Sequence, residues 1–180
     1  FLNNAINHGV LTPLGTVDVA ESGRSIYFML ESNPGPGLGL LGAYWFAGKG
    51  LAKLSAPGAM IIHFLGGIHE VYFPYVLMNP VMIGAMWAGG ISADITFVAF
   101  DAGLVGPPSP GSIFAYITLL PTEATAVIGV FLGIAVGAVV AFFVGSVLLR
   151  LFPVKDMKDT DADADIGDAI AHVPGMSGTM

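Results

Sequence analysis

Two histidines and a glutamate stand close together in a stretch that is otherwise almost wholly apolar, Met60-Ile-Ile-His63-Phe-Leu-Gly-Gly-Ile-His69-Glu70-Val-Tyr-Phe-Pro74. A carboxylate at bilayer depth costs several kcal/mol unless it faces a cavity, pairs with a neighbour or holds a polar ligand. Glu70 and His69 are adjacent, and Gly66-Gly67 before them and Pro74 after them break helical geometry, so both side chains can point into one cavity without helical spacing. His63 is different. A lone histidine on an apolar helix reads as a packed, hydrogen-bonded residue. A third polar cluster, Asn3-Asn4-Ala5-Ile6-Asn7-His8-Gly9, offers carboxamides and an imidazole, donors and acceptors suited to the hydroxyls of a polyol; the same residues would equally make a turn-rich loop. No metal is expected, because His63-x5-His69-Glu70 matches neither the helical His-Glu-x-x-His pattern nor a Cys/His zinc spacing.

The surroundings of these residues are those of a membrane protein. Hydrophobic residues make up 54% of the 180 and charged residues only 11%, against about a quarter charged in soluble domains, and mean hydropathy is +0.78. Residues 124–149 carry no charge, more than the roughly 20 apolar residues that cross the hydrocarbon core. In this run Gly129, Gly133, Gly137, Ala141 and Gly145 recur every four residues, a stripe that permits close helix packing.

Elsewhere the apolar segments are short and punctuated. Asn33-Pro34-Gly35-Pro36-Gly37 precedes Leu38–Ala47, Ala59–Leu65 ends at the Gly66-Gly67 pair, and Val76–Phe100 contains Asn79-Pro80 and Gly89-Gly90, which predicts a span with a kink or break. Gly106-Pro107-Pro108-Ser109-Pro110-Gly111 is a rigid turn before the short Ile113–Leu120. Interrupted segments of this kind read as broken helices and re-entrant hairpins, which are tolerated only around a cavity or inside protein.

The formal charge of −7 belongs largely to the end of the chain, where Asp156, Asp159, Asp161, Asp163, Asp165 and Asp168 alternate with small residues. Residues 153–180 therefore read as a solvated, disordered cytoplasmic linker or tail. Arg150, Lys155 and Lys158 put that tail in the cytoplasm by the positive-inside rule, and Lys49 and Lys53 suggest a second cytoplasmic loop. There is no basic patch for nucleic acid. The absence of cysteine excludes a disulfide framework and a cysteine nucleophile within these residues. The chain opens at Phe1 with neither an initiator Met nor a signal-like pattern, which reads as an internal fragment.

Asn-Asn-Ala-Ile-Asn-His-Gly, Ser32-Asn33-Pro34-Gly35-Pro36-Gly37 and, above all, Ile61-Ile-His-Phe-Leu-Gly-Gly-Ile-His-Glu-Val-Tyr-Phe-Pro-Tyr-Val-Leu-Met-Asn-Pro80 resemble the enzyme IIC membrane domain of the bacterial phosphotransferase-system mannitol permeases. The resemblance runs from Phe1 to about Leu151. It implies an all-α transmembrane fold over residues 1–152, the C-terminal transport part of a IIC domain whose N-terminal scaffold dimerises. It implies that Glu70 accepts hydrogen bonds from sugar hydroxyls, and that it orients or deprotonates the hydroxyl to be phosphorylated. His69 and His8 would join it in substrate binding, with Asn3, Asn4 and Asn7 as further contacts.

The implied substrate is mannitol or a similar hexitol, moved across the bacterial inner membrane while phosphorylated. The implied partners are a IIB domain carrying a phosphocysteine, IIA, the phosphocarrier HPr, membrane lipid and a second copy of the chain; no cofactor is implied. One position departs from the pattern: the family usually has Arg after Met-Asn-Pro or Met-Lys-Pro, whereas Val81 stands here. Two other readings are a truncated IIC remnant that no longer transports and a polyol carrier that works without phosphorylation.

Overall fold

The structure, a computed structural model, describes residues 5–153. The Asp-rich tail, Asn3 and Asn4 lie outside the described residues. Among the described residues the regular elements are all helical: α1 (Thr12–Ser22), α2 (Gly35–Ala47), α3 (Gly50–Phe64), α4 (Phe73–Met78), α5 (Ile83–Ala99), α6 (Ile113–Thr118) and α7 (Ala124–Leu151), with short 3-10 or π turns between or before several of them. Two segments, Pro80–Ala99 and Ala124–Leu151, are long and apolar enough to cross a membrane.

The small-residue stripe of α7 organises everything else. Gly129, Gly133, Gly137, Ala141 and Gly145 are all buried. A side chain on Gly133 would run into the Phe97 ring, one on Gly137 into the Ala93 methyl and the Gly89 carbonyl, and one on Gly145 into Ala43 and Met82. α5 therefore packs antiparallel to α7. Its own Gly89 faces the Gly137 carbonyl, so this glycine continues the helix as a contact point, and the break in the 76–100 stretch falls at Asn79-Pro80 alone. α2 lies against α7 in the parallel sense, Gly35 at Ile134, Gly39 at Ala138 and Gly42 at Phe142. Lipid tails are as apolar as Leu, so close van der Waals approach of this kind holds membrane helices together.

α2 and α3 form a hairpin whose turn, Gly48-Lys49, sits at the Arg150 end of α7 and whose open end lies at the level of Ile134, near the middle of that helix. With 13 residues α2 is about 20 Å long, too short to cross the bilayer. The expected short segment at Ala59–Leu65 is the end of a longer helix: α3 starts at Gly50 and runs through Pro57. Lys49 caps its start and Lys53 lies in its first turn, so the pair marks a tight turn and not an extended loop.

The second hairpin enters from the opposite end. Leu104 pairs with Ser25, the Val105 N–H donates to the Leu119 carbonyl at 3.0 Å, and between these base contacts the chain dips to a tip at 107–111 and returns through α6. Both short segments are thus re-entrant, and they meet tip to open end.

The two ends of the molecule differ in charge. Lys49, Lys53 and Arg150 share one end. At the other, Arg24 bridges the carboxylates of Asp101 and Glu123 and its Nε donates to the Asp101 carbonyl at 2.7 Å, tying the end of α1 to the end of α5 and the start of α7. Arg24→Ala is expected to cost about 1 kcal/mol, since Asp101 is exposed and its pairing is screened. Thermal unfolding in detergent should show a lower midpoint for the variant at low salt and a smaller gap at high salt.

Candidate functional site

The site lies where the two hairpins meet. His63 is fully buried and its Nε2 donates to the Pro34 carbonyl at 2.9 Å, closing the open end of the α2–α3 hairpin. This is the packed role expected for it. Its ring lies 4.5 Å from that of His69 and 5.5 Å from Tyr72, centroid to centroid. Gly37 leaves room for this stack: a Cβ there would come within 2.5 Å of His63 Nε2.

His69 and Glu70 open a 3-10 turn, His69–Tyr72, directly after the break. Gly67 makes the break with φ +71°, and it has to be glycine twice over, because a Cβ would also meet Ser112 N at 2.6 Å and Pro110 Cβ at 2.9 Å. His69 Nε2 donates to the Gly111 carbonyl at 3.1 Å; in a neutral ring so bonded, Nδ1 is an acceptor. One hydrogen bond thus joins the tip of the second hairpin to the motif.

A cavity of about 330 Å3 opens here, lined by Asn7, His8, Thr12, Glu31, Ser32, His69 and Glu70, with Pro107–Gly111 as its wall. Its size is in the range of small-molecule sites. Four of the sequence candidates, Glu70, His69, His8 and Asn7, therefore converge although they are up to 63 positions apart. Asn7 and His8 sit in a π-helical turn continuous with α1, not in the turn-rich loop that was one of the two expectations for this cluster. Insertion of one residue into the helical repeat is a frequent device at functional sites.

Several residues were not singled out as site candidates by sequence, Thr12 and Ser109 of the cavity lining among them. Glu31 and Ser32 line the same cavity. Glu31 could have been found, for it precedes Ser-Asn-Pro-Gly as Glu70 follows Gly-Gly-Ile-His: each is an acid at a break in an apolar run. Ser32 Oγ donates to the Phe28 carbonyl at 2.7 Å and, 2.8 Å from Tyr116, accepts from its hydroxyl. Asp94, half-buried in the middle of α5, lies within electrostatic reach of that same Tyr116.

Ser32→Ala would leave the fully buried Tyr116 hydroxyl unpaired, at a cost of about 1–3 kcal/mol. Adding Tyr116→Phe should restore much of it. A double-mutant cycle on thermal stability reads the coupling, and additivity of the two losses would contradict it.

A protein-family model described as "Phosphotransferase system, EIIC" matches residues 2–89. The mannitol-specific EIICB component of Geobacillus stearothermophilus is 61% identical over 150 residues, 83% of this chain and 31% of that protein. The chain belongs to the phosphotransferase system EIIC family. Other relatives are the cryptic mannitol-specific EIICB component of Escherichia coli K12, 52% identical over 94% of this chain and 36% of its own length, and the mannitol-specific EIICBA component of Pasteurella multocida, 56% identical over 84% and 24%. This EIIC chain thus spans between a quarter and about a third of the length of these relatives. No solved structure matches it. As an EIIC protein it is a membrane component, consistent with its two apolar helices.

Proposed function

We propose that this chain forms the substrate-binding part of a mannitol permease, in which the polyol lies in the cavity between the two hairpins and is phosphorylated as it crosses the bacterial inner membrane. The convergence of Glu70, Glu31, His69, His8 and Asn7 on one cavity carries this reading, together with relatives whose names are mannitol-specific EIICB and EIICBA components.

The donor set suits a polyol. Two carboxylates accept from sugar hydroxyls, His69 Nδ1 accepts a third, and the Asn7 amide and the hydroxyls of Thr12 and Ser109 supply donors or acceptors. Asn3 and Asn4 would extend this set from the residues just before Asn7. Glu70 orients the hydroxyl that is to attack phosphorus and draws on its proton, a role that needs hydrogen-bond reach. Phosphoryl transfer depends mainly on positioning and charge stabilisation: the hydroxyl oxygen would attack the phosphorus of a phosphocysteine on a IIB domain, loaded from HPr through IIA, the S–P bond would break, and the cysteine would leave as thiolate.

The same carboxylates give the cycle a direction. A neutral hexitol donates to them, whereas its phosphate ester carries a negative charge that Glu31 and Glu70 disfavour, so phosphorylation weakens binding and promotes release. Residues 1–152 act as the transport part and 153–180 as the linker toward the IIB domain, with the Lys49, Lys53 and Arg150 end in the cytoplasm and the scaffold outside this chain forming the homodimer contact. Val81 stands half-exposed near this basic end, where Asn79 Nδ2 donates to the Phe152 carbonyl at 2.8 Å. Its missing cation is far from the cavity wall.

The test is mannitol uptake by cells expressing the full-length protein. Uptake that stops when the general phosphoenolpyruvate-dependent components are deleted supports the proposal. Undiminished uptake in such cells would establish a carrier without phosphorylation, and no uptake in competent cells would establish a remnant.

A further inference from the structure

A second cavity, larger than the polyol site, lies elsewhere. A groove of about 700 Å3 runs between α2, α3 and α7, open to the surroundings, with Met60, Val139 and Phe142 along its walls and Trp45, Phe46 and Lys53 toward the basic end. Gly39 and Gly42 form its floor by leaving α2 without side chains there. Seven residues of α3 separate Lys53 from Met60, so the apolar trough reaches about 10 Å below the ammonium group. Trp45 and Phe46 are more than half exposed, at 54% and 63%, as amphipathic and aromatic residues are at a membrane interface.

Charge decides what fills it. Among the described residues Lys53 makes no ion pair, and its end of the molecule carries Lys49 and Arg150 but no described carboxylate, since the acids lie at the opposite end, in the polyol cavity or midway along α5. An apolar trough capped by an unpaired cation accepts an acyl chain below and an anion above. A zwitterionic headgroup brings a quaternary ammonium toward cations with no carboxylate at that end among the described residues to receive it. Basic pockets between membrane helices bind anionic headgroups for this reason.

We infer that this groove is a binding site for one anionic phospholipid of the leaflet at the basic end. The phosphate is held by Lys53, and one acyl chain lies against Met60, Val139 and Phe142. Lipid bound here touches α2, α3 and α7 together, and so braces the hairpin whose open end carries Pro34 and His63.

The full-length protein is reconstituted in phosphatidylcholine vesicles containing either phosphatidylglycerol or phosphatidylcholine with brominated acyl chains, and the emission of Trp45 is isolated by difference against Trp45→Phe. Brominated phosphatidylglycerol should quench Trp45 at about a fivefold lower mole fraction than brominated phosphatidylcholine. Lys53→Gln should remove that preference while leaving quenching by phosphatidylcholine in place, which also shows that the variant is folded and inserted. Equal quenching by the two lipids would overturn the inference in favour of ordinary bilayer contact. So would a preference that survives Lys53→Gln. Absence of quenching by both would show the groove covered by protein, either more of the same polypeptide or a second copy.

Discussion

Glu70→Ala in the full-length protein is expected to lower mannitol affinity by about a hundredfold or more. Hydrogen bonds to a charged group contribute about 1.5–3 kcal/mol each, and a carboxylate that accepts from two hydroxyls loses both. Saturable binding of radiolabelled mannitol to membranes should therefore fall below detection in the variant while the protein remains inserted. Glu70→Gln separates charge from shape, since the amide keeps one acceptor and adds donors, and it should fall between the two. Binding unchanged in Glu70→Ala would remove this residue from the site. The alanine should do little to stability, because Glu70 is exposed to the cavity in the protein.

Gly67→Ala is the substitution expected to do most damage for a single methyl group. At φ +71° an L side chain is strained, by about 1 kcal/mol or more, and the methyl would also strike the second hairpin at Ser112 N, Pro110 and Gly111, at 2.6 to 3.0 Å. These atoms are backbone and proline ring, which cannot turn aside. The tip must withdraw, and the His69 to Gly111 hydrogen bond goes with it, so mannitol affinity and thermal midpoint should fall together. Gly58→Ala is the matched control. Gly58 is inside α3 with open space around it, and alanine there should be neutral or stabilise by about 0.4–1 kcal/mol. Equal behaviour of the two variants would mean that the hairpins do not meet at Gly67.

Much of this arrangement could be read from residue order because the breaks are chemical. Clusters of proline and glycine end helices, so the short segment at Leu38–Ala47, the turn at 106–111 and the charge-free α7 were legible, and α7 ends within two residues of its expected limit. The rule has an exception at Pro57, which lies inside α3. A proline about two turns into a helix is tolerable when the carbonyl four residues back can be left to solvent or headgroups, and α3 starts nine residues earlier than its purely apolar part. Gly89-Gly90 likewise looked like a hinge and is a packing contact, a distinction that depends on Gly137 opposite.

The site divides along the same line. His69 and Glu70 announced themselves by their cost in an apolar setting. Glu31 and Ser32 did not, because their role comes from the second hairpin folding back to enclose them, with Tyr116 lying 84 positions from Ser32. The pairing of hairpin tip with helix break is a tertiary fact. The resemblance to the mannitol permeases supplied His8 and Asn7 where residue chemistry alone left polyol contacts and a turn-rich loop equally open, and both line the cavity together with Glu31.

The most direct test of the central claim is where mannitol sits in the full-length protein. A structure with mannitol bound should show hydroxyl oxygens within about 2.5–3.0 Å of carboxylate oxygens of both Glu70 and Glu31, in the cavity bounded by His69 and the 107–111 tip. Mannitol bound elsewhere, with those two carboxylates contacting only protein or water, would contradict the account.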